Sequence, residues 1–222
     1  MSQGRLLDPA CLFRFEVPIE HQSLAWGAMG LQLDPACTVP NFSVLSGGTP
    51  WAQVRFAWNV DGIGLWVQVK GKKQIPRCRP QQVQESDGIQ LFLATRNVSE
   101  VHRGNRFCHS LFFSPLGGGT KREAPFSAWR PLEMAREVND SLRQSPPDVH
   151  AKLLPDGYQL SGRIPASSLH GFDPREFSLI SMSYLVKDHE LGVQPWTVGE
   201  EFPIRVDPSL WVLTRLVGAP RE

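Results

Sequence analysis

Arg96, His102, Arg103, Arg106 and His109 crowd into one short stretch, RNVSEVHRGNRFCH. Guanidinium and imidazole groups packed that densely at the mouth of a strand suit an anion. Arginine's planar fork grips a carboxylate, a phosphate or a sugar acid through paired hydrogen bonds. The bland alternative is a basic loop in water, the usual meaning of a local charge run. Asp87 and the run Asp188-His189-Glu190 bring the carboxyl groups that glycosidic hydrolysis requires, but chain spacing sets no separation between them. Asp at strand ends also serves turns and caps. No nucleophile and base can be paired with geometry behind them, so binding is expected rather than catalysis. Asp87 and Asp188 stay on the list of ligand-binding candidates.

Cys78, His102, Cys108 and His109 carry zinc-ligating atoms. Residues 108 and 109 are adjacent, however, and would point to opposite faces of a strand. Cys11, Cys37, Cys78 and Cys108 form no CxxC pair, so free thiols are expected and no metal. The run Gly117-Gly-Gly-Thr-Lys121 places Thr before Lys, the wrong order for a phosphate loop. No cofactor is expected. Of the tryptophans, Trp58, Trp66 and Trp211 read as sheet packing, whereas Trp51, Trp129 and Trp196 fall in apparent loops. Trp196, in QPWTVGEEF, is the first choice for a flat platform on which a ligand ring stacks.

The elements that must hold these groups read as strands. In QVRFAWNVDGIGLWVQVK, Val54, Phe56, Trp58 and Val60 alternate, Asp61-Gly62 intervenes, and Ile63, Leu65, Val67 and Val69 alternate again. That pattern predicts a β-hairpin. Pro155-Asp156-Gly157, between VHAKLL and YQLSGRI, predicts a second. IQLFLAT, FCHSLFFS and FSLISMSYLV are short apolar runs suited to strands buried on both faces, and WVLTRLV reads as a closing strand. Helix is scarce: Pro131 to Val138 could make two turns and Ala166 to Leu169 one. Gln74 to Ser86, Thr120 to Trp129 and Asp140 to Asp148 read as loops on one domain of 222 residues.

The formal charge is +1, which supplies no global field to recruit nucleic acid or an anionic membrane. Asp8, Pro9 and Arg14 interrupt the N-terminal apolar pieces before a signal-peptide core develops, so a cytoplasmic location is expected. No apolar stretch reaches spanning length.

Four segments in order, WAQVRFAWNVDGIGLWVQVKGKK, SDGIQLFLATR, DGYQLSGRIPASSL and VDPSLWVLTRL, resemble the family 9 carbohydrate-binding modules and the wider DOMON-like sandwiches. The likeness spans about residues 50 to 216, with residues 1 to 49 packed on it as a further strand and loop. It implies an all-β, antiparallel, jelly-roll-like sandwich. It also implies a sugar site of paired aromatic rings and polar groups, with Trp196 as one ring. Val83 to Ser86, where the other ring would stand, holds no aromatic residue, and Ser161 replaces a glutamate common in the family. The expected function is thus a non-catalytic module for a saccharide or a small anionic, sugar-acid-like ligand, with Trp196, Arg96, His102, Arg106, His109, Asp87 and Asp188 at the site. The alternative is an intracellular interaction or scaffold domain that pairs with another protein through a sheet face or edge.

Overall fold

A computed structural model describes residues 12–137 and 146–218. Its regular structure is strand, with 3-10 turns as the helical component among the described residues. In chain order the strands are β1 (Glu16–His21), β2 (Ala52–Asn59), β3 (Gly62–Lys70), β4 (Gly88–Ala94), β5 (Cys108–Gly118) and β6 (Ala124–Arg130). They continue with β7 (Asp148–Leu154), β8 (Gly157–Pro165), β9 (Leu179–Asp188), β10 (Gly192–Pro195) and β11 (Val212–Val217). No helix among the described residues is long and apolar enough to cross a membrane.

Both expected hairpins are present, with their turns one residue earlier than the Asp-Gly pair suggests. Asn59 pairs with Gly62 across Val60-Asp61, and Leu154 pairs with Gly157 across Pro155-Asp156. Each glycine opens the returning strand at positive φ, +145° and +158°. A Cβ on Gly62 would lie 2.0 Å from the Ile164 carbonyl oxygen, and one on Gly157 2.0 Å from that of Val69. Only glycine lets the neighbouring strand approach so closely.

The strands follow one continuous path, β6-β5-β4-β9-β11-β1-β2-β3-β8-β7, with β10 paired to β9. The path curls until β5 and β6 at one end lie against β7 and β8 at the other, leaving the sheet nearly closed. Most pairings are antiparallel, but β1 runs parallel to both β11 and β2. The sheet is thus mainly antiparallel, and β1 is the exception because it arrives from the N-terminal segment rather than through a hairpin.

Inside the curl, alternate residues of each strand meet: Val54, Phe56 and Trp58 from β2, Ile63, Leu65, Val67 and Val69 from β3, Ile89, Leu91 and Leu93 from β4. A second apolar layer lies on the outer face of β4, β5 and β9, where Phe92, Ala94, Cys108 and Leu185 are covered by Val198, Ile204 and Trp211. This second layer explains why β4 is buried at all seven positions and why its sequence lacks alternation.

One expected helix and one expected loop differ. Residues 131–137 contain turns in place of a helix, with Val138 outside the described residues, and the single turn expected from Ala166 to Leu169 is a 3-10 turn over Ala166–Ser168. The expected loop Thr120 to Trp129 contains β6, whose Trp129 faces the core opposite Leu111.

Candidate functional site

The basic stretch does not converge on one point. The Arg96 guanidinium lies 3.4 Å over the Phe177 ring and donates to the carbonyls of Thr95 (2.7 Å) and Gly171 (2.5 Å), fastening one loop to another. Arg106 rests 5.2 Å over Phe107. His102 sits elsewhere, its Nδ1 3.1 Å from Asp207 Oδ2 and 3.2 Å from Ser209 Oγ. His109 points into the core beside Leu93, 1% exposed, with both ring nitrogens unpartnered. Burial, assisted by His170, lowers its pKa to about 4, so it rests neutral.

Trp196 belongs to the core and offers no platform. It is fully buried, stacks on Tyr184 at 5.3 Å, and donates its indole N–H to the Pro40 carbonyl. Its neighbours in sequence look like a loop, yet they follow directly on β10, which carries the ring inward. Trp51 is half-buried against the core just before β2. Nor do the zinc-capable residues assemble: Cys78 packs against Gly117, Cys108 beside Asn105, and His102 on Asp207.

Asp87 and Asp188 do come together, around a residue that the sequence gave no reason to select. Lys72 follows β3 and is 3% exposed. Its Nζ lies 2.9 Å from Asp188 Oδ1, 3.2 Å from Asp87 Oδ2 and 4.0 Å from Glu190 Oε2. His189 closes the cluster, with Nδ1 2.7 Å from Asp87 Oδ2 and Nε2 3.1 Å from Gln74 Oε1. Backbone N–H groups also reach the carboxylates: those of Arg77 and His189 donate to Asp87, and those of Glu190 and Leu191 to Asp188 Oδ1. Hydrogen bonds from Gln74 and Lys73 hold Glu190 below the usual carboxylate range. Asp87, Asp188 and His189 have ligand atoms close enough to share a metal ion, but the Lys72 ammonium already stands among them as the compensating cation. With both aspartates and Lys72 sealed from solvent, no substrate reaches this carboxylate pair.

An open groove of about 420 Å³ lies on the outer side of β4, β5 and β6. Gln90, on β4, donates from Nε2 to Ser110 Oγ at 3.1 Å and accepts from Arg205. Arg205 also donates to Glu200 Oε1 at 2.6 Å, and Glu200 is paired with Lys187 at 2.9 Å. Lys187 reaches on to the Gln84 carbonyl, and Gln84 donates to Glu133 at 3.2 Å. Arg130 enters from β6, one arm held by the Pro80 carbonyl. The result is a chain of amide, guanidinium and carboxylate groups over the buried Phe92, each oriented by its neighbour.

Composition alone could have marked Gln90, the one polar side chain in the apolar run IQLFLA. Arg205 had no such signal; it comes from the loop before Asp207-Pro208-Ser209.

No family profile and no curated protein matches the sequence. Solved structures do. A family 9 carbohydrate-binding module from Caldicellulosiruptor kristjanssonii in complex with glucose aligns over 93% of this chain and 98% of its own, with TM-score 0.64 and 15% identity. A family 9 module from the same organism in complex with cellotriose aligns over 92% and 95%, with TM-score 0.63 and 15% identity. A further structure, from Bacteroides uniformis, aligns over 91% and 99%, at TM-score 0.50 and 14% identity. Strand path, strand content and these likenesses agree that the chain has the fold of a family 9 carbohydrate-binding module.

Proposed function

We propose that this protein is a non-catalytic saccharide-binding module whose ligand lies in the groove of Gln84, Gln90, Ser110, Arg130 and Arg205. The observation that carries this reading is the relay Ser110–Gln90–Arg205–Glu200–Lys187. Sugar hydroxyls both donate and accept, so they pair with amide, guanidinium and carboxylate groups already fixed in direction. Two solved structures of this fold hold glucose and cellotriose, which supports a sugar as ligand class. We read the strand path as jelly-roll-like, with the groove on its outer face.

Among the residues lining the groove no ring is exposed as a stacking surface; Phe92 is fully buried beneath it. Polar contacts therefore carry recognition. Arg130 and Arg205 favour a sugar that bears a carboxylate, which would compete with Glu200 for Arg205. Arg96, His102 and Arg106 lie outside the residues that line this groove.

Calorimetric titration with glucose, cello-oligosaccharides and uronic-acid oligosaccharides tests the reading. Binding that Gln90→Ala and Arg205→Ala each weaken at least tenfold is expected. Saccharide binding undiminished in both variants, or none with any of these sugars, overturns it.

A further inference from the structure

We propose that Lys72 and Asp188 join through a spontaneous isopeptide bond, with Asp87 as the proton carrier, and that the mature protein contains this internal crosslink. The reactants are already in contact. Lys72 Nζ lies 2.9 Å from Asp188 Oδ1 and 3.2 Å from Asp87 Oδ2, with all three side chains at most 1% exposed.

The two oxygens of Asp188 have unequal surroundings, as the reaction requires. Oδ1 accepts backbone N–H groups from Glu190 (2.9 Å) and Leu191 (3.1 Å). Oδ2 is buried and has no hydrogen-bond partner. The Tyr158 hydroxyl is likewise buried and unpartnered. Burial holds its proton tightly, and the charges of Asp188 and Asp87 hold it tighter still. An orphaned carboxylate oxygen within a sealed ion pair is an unusual cost for a fold to carry.

The chemistry balances without a cofactor. Asp87, whose Oδ2 lies 3.2 Å from Nζ, carries a proton from the ammonium to the Asp188 carboxyl group, turning ammonium and carboxylate into amine and acid with no change of net charge. The Nζ lone pair then attacks Cγ, and the charge that develops on Oδ1 meets the two backbone N–H groups already aimed at it, the arrangement of an oxyanion hole. Asp87 accepts a second proton from Nζ and delivers it to Oδ2, which departs as water. An Nζ–Cγ amide remains, with one N–H left for Asp87, whose carboxylate ends as it began. Oδ2 leaves without breaking a hydrogen bond. Proximity makes the step effectively unimolecular, and exclusion of bulk water opposes the reverse hydrolysis.

The bond would tie the end of β3 to the end of β9, strands separated in the path by β11, β1 and β2. The full chain, purified and denatured, is measured by intact mass spectrometry and then digested with trypsin. The expected wild-type mass falls short of the sequence mass by one water, and a branched peptide joins Lys72 to Asp188, with no cleavage after Lys72. Lys72→Arg, which keeps the cation but cannot form this amide, and Asp87→Ala should each show the full mass of their own sequence. A wild-type mass equal to the sequence mass overturns the proposal. So does a water loss that fragmentation places at any other residue, or a crosslink that persists in Asp87→Ala.

Discussion

Lys187 and Asp188 are neighbours on β9, yet they serve opposite environments. Lys187 points outward, to Glu200 and the Gln84 carbonyl at the groove, whereas Asp188 points inward, to Lys72. The alternation of a strand puts two charge clusters back to back across one layer of backbone. Their residue types are much alike, lysine, carboxylates and glutamine, so what separates them is water. Around Lys72 the ammonium and both aspartates have left solvent and their contacts must offset desolvation, whereas around Arg205 the partners remain partly hydrated and open to exchange. The buried cluster secures structure, and the open one is where we propose recognition.

The largest expected effect follows from removing the central cation. Lys72→Met removes the amine that holds both aspartates, whether as cation or as crosslink, leaves Asp87 and Asp188 buried and uncompensated, and should cost at least about 3 to 5 kcal/mol in urea denaturation at neutral pH. Retention of wild-type stability would erase the contrast with the groove.

His109 sharpens the same point with one residue. Its folded-state pKa of about 4 lies below the 6.5 ordinary for histidine, so the unfolded chain takes up the proton more readily. Stability should be highest above about pH 6.5, fall by about 3 kcal/mol as the pH drops to about 4, and change no further from this group below that. His109→Leu should flatten this slope in a series of denaturant titrations across that range.

In the groove the ranking between stability and binding reverses. Arg205→Ala is expected to cost less than about 1 kcal/mol of stability while abolishing most saccharide affinity, a split that paired unfolding and calorimetric titrations would read. The smallest effect belongs to Arg79 and Glu85, paired at 3.0 Å with side chains 67% and 60% exposed. Glu85→Ala should move the unfolding midpoint by no more than about 0.5 kcal/mol equivalent.

The strands were legible where one physical rule acted alone. Alternation revealed β2 and β3 because one face of each meets the core, and apolar runs revealed β4, β5 and β9 because apolar layers cover both faces. β6 was hidden by the glycines, charges and Pro125 around it, and four-residue β10 by its shortness. The site was less legible because residue type does not encode direction. Trp196 and Arg205 belong to the same connection, yet the tryptophan goes inward and the arginine outward, reversing the roles their chemistry suggests. Lys72 stands between Lys70 and Lys73, both exposed, and nothing local distinguishes the one that is buried.

The parallel seat of β1 between β11 and β2 has a kinetic consequence. Its partners come from the last strand described and from the first hairpin, so the interior cannot close until residues nearly two hundred positions apart have met. Such non-local pairing slows folding, and until β11 docks the edges of β9 and β1 stand open to other chains. During synthesis, the first hairpin must therefore wait with its inner face uncovered, which makes the growing chain, more than the finished one, the form in need of a chaperone.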